Sequence, residues 1–389
     1  MNNVASKNKG KLPLYLKIGF FAALFVVLVA ANYFIDPGNI FHAASPDSAE
    51  MRAIAIVKGG ENAENLDNFN ERLVKRMLAI EGGSFDTVVL GSSRAALITK
   101  QMTGEDSFFN FSISGASLEE IVGIFGVYEQ NHGLPKRVII SMDPWYLNDN
   151  FKSERFEKSL GDGYYHVLTD LLGFESADRS LLSIGALYRD PHSKISLFDL
   201  GAGTVSELFS VTYFQSAVQS LFSDNRGKSG AVTATSADDD VLGILRKDGS
   251  YSYPESYRNA DLLTTDERAK TQLPSKILGL KGFDKAYGNN FDVLSKFVKY
   301  LKSKGVRVDI ILPPLNPLIW NAIKNNHSDT GFFFAQEAFE KIAEEAGANI
   351  CGTFDPAAAN VKADDFYDGY HFKPYVADDL VKMLPQEKE

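Results

Sequence analysis

The stretch Thr87-Val88-Val89-Leu90-Gly91-Ser92-Ser93-Arg94 decides how the rest of the chain is read. Thr87–Leu90 is a continuous β-branched and apolar run with no polar alternation, which predicts a strand buried on both faces of a parallel sheet. Gly91 lets the chain bend without a Cβ clash. Ala95-Ala96-Leu97-Ile98 then predicts the start of a helix. Serines at such a turn have two readings. They cap the helix, or one hydroxyl stands beside N–H groups that stabilise an oxyanion.

The same rhythm extends outward. A second extended segment, Phe108–Ile113, runs into Ser114-Gly115-Ala116-Ser117, and Ser117 with Glu120 has capping-box spacing. A helix over 118–130 places Ile121, Ile124, Phe125 and Tyr128 on one face, and Pro135 ends it. A third strand, Arg137–Met142, stops at Asp143-Pro144-Trp145. Near the C-terminus the spacing predicts a helix over 289–304, a strand Val306–Leu312, a helix over 332–346, a strand Asn349–Phe354 and a last helix over 375–384. Strands alternating with helices imply an α/β fold built of right-handed parallel units. Residues 151–285 break the rhythm. Helical stretches around 163–190 and 204–223 and a polar run, Ser223–Asp240, predict a long, mostly helical insertion or cap with a loop.

The chain has 389 residues, 44% hydrophobic and 23% charged, enough for a sizeable core. Its net charge of −10, with no basic stripe beyond residue 17, argues against nucleic acid as a partner. The single cysteine, Cys351, excludes an internal disulfide and cysteine-based metal sites. Lys7, Lys9, Lys11 and Lys17 precede the apolar run Ile18–Ile35, in which only Asn32 is strongly polar. As a helix that run spans roughly 27 Å, close to a hydrocarbon core of about 30 Å. The expected organisation is a cytoplasmic tail (1–17), a membrane anchor (18–35), a linker with a helix over Glu61–Ile80 (36–85) and an outer domain (86–385) interrupted by the insertion. A cleaved signal peptide is the competing reading of the apolar run.

Ligands of open parallel sheets gather at the carboxyl ends of the strands. Gly91–Arg94, Ser114–Ser117, Asp143–Trp145 and Asp365–His371 all fall there. In Asp368-Gly369-Tyr370-His371 the aspartate can hold the imidazole in one tautomer, or the four residues are a surface turn. Gly115 lends an N–H to an oxyanion hole or merely turns the chain. Arg94, Asp143, Trp145 and Tyr146 line a substrate cleft, with the aromatics stacking on a sugar; alternatively the aromatics cover the sheet edge beneath the insertion. A metal site from Asp365, Asp368 and His371 is the remotest option, and no cofactor is expected.

A strand ending in Gly-Ser-Ser, a second ending at a glycine and a C-terminal Asp-x-x-His resemble the SGNH/GDSL hydrolase superfamily. The N-terminal anchor and the turn Asp36–Phe41 are similar to its membrane-anchored branch, which includes DltD-type proteins and proteins of surface-polysaccharide O-acylation. The resemblance covers about 85–150 and 290–385. It implies a three-layer, flavodoxin-like fold, with Ser93 as nucleophile, Asp368 and His371 as acid and base, and the N–H groups of Ser93 and Gly115 as oxyanion donors. It further implies acyl transfer or ester hydrolysis on a cell-surface glycan or glycopolymer, with a membrane-bound O-acyltransferase as partner. One departure stands out. The family's third-block Gly-x-Asn is replaced by Ser141-Met142-Asp143, and Asn148 is out of register. That leaves room for a degenerate, non-catalytic binding or scaffold protein.

Overall fold

The computed structural model describes residues 14–35, 49–66, 70–151, 159–174, 208–211, 214–215, 218, 232–272, 279–325 and 330–385. Its described strands are β1 (Asn62–Glu64), β2 (Thr87–Leu90), β3 (Phe108–Asn110), β4 (Arg137–Ser141), β5 (Thr233–Thr235), β6 (Ile244–Leu245), β7 (Tyr251–Ser252), β8 (Arg307–Leu312) and β9 (Asn349–Gly352).

The five strands read as parallel do form one parallel sheet, ordered β3-β2-β4-β8-β9. Counted along the chain within this sheet the order is 2-1-3-4-5. The direction of winding therefore reverses beside β2, the position at whose carboxyl end open parallel sheets bind their ligands. Alternate residues serve two cores, as the two-residue strand period requires. Val88, Leu90, Val138, Ile140, Val308, Ile310 and Leu312 join the large cluster, with side chains of the helices Leu118–His132, Asn289–Ser303 and Gly331–Ala346. Val89, Ile139 and Ile311 join a second cluster with Leu97, Ile98 and the helix Pro374–Lys382. Helices thus flank the sheet on both sides. The helix Leu118–His132 opens with the expected Ser117–Glu120 capping box and ends at Gly133, two residues before Pro135.

The structure corrects four expectations. No helix begins at Arg94. Residues 92–98 are a chain of turns closed by Ala95 N–H to Ser92 O, Ala96 N–H to Ser93 O and Ile98 N–H to Ala95 O. The Asn110 amide donates to the carbonyls of Ala95 and Ile98, and Tyr251 N–H donates to that of Ala96. Those carbonyls are thereby lost to a helical ladder, and the helix waits until Lys100, capped by Thr99.

The helix expected over Glu61–Ile80 is shorter, Glu71–Glu81 with Asn70 as cap, because 62–64 pairs antiparallel with β5 and β6. Nor is the described part of that segment, 49–66 and 70–85, a free linker. Ala53, Ile54, Val57, Leu73, Val74, Met77 and Leu78 are buried in the main core. The sequence predicts helices and a loop in the insertion; beside the helices Gly161–His166 and Leu262–Gln272 it also supplies β5, β6 and β7, which complete a four-stranded sheet β5-β1-β6-β7. The tail before residue 14, the turn Asp36–Phe41, most of both expected helical stretches of the insertion and its polar run up to residue 231 lie outside the described residues.

At the N-terminus, Leu14–Ile35 is one helix. By length and composition Tyr15–Ile35 is apolar enough to cross a membrane, and a signal sequence has the same character.

Candidate active site

The turn after β2 and the loop before the last helix lie 278 residues apart and meet at one rim of the sheet. Ser93 Oγ stands 2.7 Å from His371 Nε2. His371 Nδ1 stands 2.8 Å from Asp368 Oδ2. Asp368 Oδ1 accepts from the N–H groups of Tyr370 and His371, both at 2.8 Å, which closes the loop around the carboxylate. An alcohol, an imidazole and a carboxylate therefore lie in line.

The electrostatics suit that line. Burial alone raises the Asp368 carboxyl, but its hydrogen bonds with His371 and the loop N–H groups outweigh burial and hold it down at about 2. An ionised carboxylate on Nδ1 keeps the ring proton there, so Nε2 is free to accept the Ser93 hydroxyl. Asp368 is 2% exposed, and Ser93 and His371 are half-buried.

Ser92 and Ser93 separate cleanly. Ser92 is buried, accepts from Arg94 N–H and lies against Asp143. Ser93 faces the imidazole. Gly91, between strand and turn, has φ +156°, and a Cβ there would stand 2.8 Å from Ala95 Cβ and 3.0 Å from Ser141 Cβ. The second glycine block is tied to this turn by Ile113 N–H donating to Gly91 O at 3.0 Å. Gly115 itself turns at φ +61°.

The residues assigned to a substrate cleft do not line one. Arg94 and Asp143 form a buried ion pair at 2.7 Å, and Arg94 also donates to the carbonyls of Pro313 and Pro314. Burial raises the Asp143 carboxyl, and Arg94 opposes it. Trp145 is 3% exposed, donates its indole N–H to Ala116 O and packs edge-on against Tyr370. Tyr146 is fully buried, and burial pushes its phenol well above the ordinary range. The Arg94–Asp143 pair and the Trp145 bond to Ala116 O turn these side chains inward, so they underpin the rim rather than meet solvent. Asn148 donates to the carbonyls of Gly279 and Lys281 and accepts from Asn150 N–H, so it cannot serve as an oxyanion donor. Asp365 is engaged by the Lys362 N–H and the Tyr375 hydroxyl. Cys351 is half-buried on β9, and burial pushes its thiol up to about 12.

Several site residues escaped sequence reasoning. Asn316, at the β8 exit, is buried, donates to Asp368 O at 3.0 Å and caps the helix Pro317–Lys324. An asparagine before proline at a strand exit was its signal. The insertion supplies the rest. The Tyr253 ring lies 5.3 Å from the His371 ring, and its hydroxyl comes to 3.5 Å from Ser93 O. Gln272 accepts from Gly369 N–H at 2.7 Å, and Arg268 lies over the Tyr257 ring at 4.1 Å. The insertion is therefore a wall of the site. Of the other histidines, His166 pairs with Glu129 and Asp170 far from Ser93 in sequence, and His42, His192 and His327 lie outside the described residues.

No protein-family model matches this chain, and no curated protein matches it significantly. The residues present an alcohol within hydrogen-bond reach of an imidazole whose other ring nitrogen meets a buried carboxylate.

Proposed function

We propose that this protein is a membrane-anchored, serine-dependent acyl-transfer enzyme of SGNH type, acting outside the cytoplasm on a cell-envelope glycan or glycopolymer. One observation supports this above all others: the unbroken Ser93–His371–Asp368 line at 2.7 and 2.8 Å. The 2-1-3-4-5 strand order, with Ser93 at the reversal, accords with the flavodoxin-like layering of that superfamily. The lysines before the apolar helix favour a cytoplasmic tail and an outer domain.

In this reading His371 Nε2 takes the hydroxyl proton as Ser93 Oγ adds to an ester carbonyl. The N–H groups of Ser93 and Gly115 receive the oxyanion. Collapse breaks the ester bond, and the donor alcohol leaves with the proton from His371. The acyl-Ser93 ester then reacts with a glycan hydroxyl whose proton passes to the same imidazole, and Ser93 is regenerated. Water in place of the glycan would make the protein a carbohydrate esterase. A membrane-bound O-acyltransferase is the partner this reading calls for, as the source of acyl groups across the bilayer.

A fluorophosphonate probe tests the assignment. Labelling of the full chain, its loss in Ser93→Ala and its retention in Ser92→Ala are the expected results. A Ser93→Ala protein that keeps wild-type labelling or acyl transfer would overturn it. One observation favours a second reading, a non-catalytic glycan-binding or scaffold protein. Asp143 and Asn148 are both committed to internal contacts, so the third strand exit offers no side-chain donor, an absence typically costing about 10²–10³ in rate. A folded wild-type chain that takes no label would favour this second reading.

A further inference from the structure

Asn32 is the one strongly polar side chain in an otherwise apolar stretch, and it is fully buried. Its amide donates to Leu208 O and to Ser210 O, both at 3.0 Å. Seven residues earlier on the same helix, the Phe25 ring stacks on Phe209, with centroids 5.6 Å apart and planes 8° from parallel. The insertion segment 208–211 therefore lies along the apolar helix over about 10 Å of its length, at 1.5 Å rise per residue. Leu208 is buried there, whereas Phe209 and Val211 remain 48% and 60% exposed, and Phe20, Phe21, Leu24 and Val27 of the helix are exposed as well.

We propose that residues 208–211 enter the bilayer beside the N-terminal helix, giving the protein a second lipid contact held in place by Asn32. The proposal rests on the anchor reading above. An amide in hydrocarbon needs hydrogen-bond partners, and carbonyls outside a regular ladder need donors. Asn32 meets both needs at once. It supplies one donor to Leu208 O and one to Ser210 O, which also accepts from Phe214 N–H at 3.0 Å, and the two carbonyls satisfy the amide NH2 in turn. Phe25 lies near the middle of Tyr15–Ile35, so a ring stacked on it shares its depth. The occupant of the exposed Phe209–Val211 face is then acyl chain, the same solvent that covers the neighbouring helix face. Because the insertion also places Tyr253 and Gln272 at the Ser93 rim, this contact would hold that wall to the membrane surface.

The test uses the full-length chain in lipid vesicles, with Cys351→Ala removing the native thiol. Single cysteines at Phe209→Cys and Phe21→Cys carry a bimane fluorophore, and the vesicles contain lipid spin-labelled in the acyl chain. Both positions are expected to be quenched, the one at 209 by at least half as much as the one at 21. Quenching at 21 without quenching at 209 overturns the proposal and leaves the anchor standing. Quenching at neither overturns the anchor reading and the proposal with it. Adding Asn32→Leu should lower quenching at 209 at least twofold while leaving 21 unchanged; undiminished quenching at 209 would remove Asn32 from the role given to it.

Discussion

The Arg94 guanidinium donates to the Asp143 carboxylate at 2.7 Å with both side chains closed off from solvent. This pair ties the turn after β2 to the exit of β4, and the remaining Arg94 donors reach the exit of β8 at Pro313 and Pro314. One side chain thus joins three strand ends directly beneath Ser93. Removing one partner strands the other charge in the core, at a cost of about 3–5 kcal/mol. Arg94→Met should lower the urea midpoint accordingly, read by fluorescence of Trp145 and Trp320. Arg94→Met with Asp143→Leu should lose clearly less than the two single variants together. A near-neutral Arg94→Met would show that the pair does not brace the rim.

Asp368 couples the site to acid stability. Its carboxyl moves from 3.8 to about 2 on folding, so the folded chain binds fewer protons than the unfolded chain between about pH 4 and pH 2. Stability from this group is full above pH 4 and is lost as pH falls through that window, by about 2 kcal/mol. Asp368→Asn should remove that acid-dependent part of the curve. It should also cut acyl transfer by about 10⁴, because an amide does not hold Nδ1 protonated. Stability profiles from pH 6 to pH 2 for the two proteins check the first point, and turnover checks the second.

What was legible in the sequence follows from how far each feature reaches along the chain. The five parallel strands could be read because a buried strand is a local run of apolar residues bounded by glycine, proline or aspartate, as in Thr87–Gly91 and Arg137–Asp143. The residues at their exits could be listed because parallel strands share one carboxyl edge. Orientation was not legible. Nothing local says that Trp145 and Tyr146 turn inward, since the Trp145 partners Ala116 and Tyr370 and the Tyr146 neighbour Ser92 come from other parts of the chain. The false helix at Ala95–Ile98 had good local propensity, and it was overridden by Asn110 and Tyr251 from elsewhere. An amide inside Phe108-Phe109-Asn110-Phe111 was the available clue, because a buried amide demands partners. Tyr253 and Gln272 carried no signal, being set in an insertion without a strand–helix rhythm.

Asn110 shapes the turn that carries Ser93. Its side chain donates to Ala95 O and Ile98 O and accepts from Ser112 N–H at 2.9 Å, all buried. Asn110→Ala leaves Ile98 O and Ser112 N–H without this partner, while Ala95 O keeps the Ile98 N–H, at about 1–3 kcal/mol for each group that water cannot reach. The expected outcome is a lower melting temperature together with slower fluorophosphonate labelling of Ser93. Unchanged labelling in a destabilised protein would confine Asn110 to stability.

Gly369 sits between Asp368 and His371, where Gln272 of the insertion bonds the loop. A Cβ there would collide with Gln272 Oε1 and stand 2.9 Å from Ile319 Cδ1. Gly369→Ala must therefore push aside the Gln272 and Ile319 side-chain ends or displace the loop, at about 1–3 kcal/mol for an added methyl in a packed site. Displacing the loop lengthens the Ser93–His371 contact, so labelling of Ser93 should slow at least tenfold. Gln272→Ala in the same chain removes the nearest obstacle. It should restore part of the labelling rate even though it forfeits the Gly369 N–H bond. If the double variant labels no faster than Gly369→Ala alone, the insertion does not set the geometry of the acid–base loop, and the slow step lies with Ile319 beneath it.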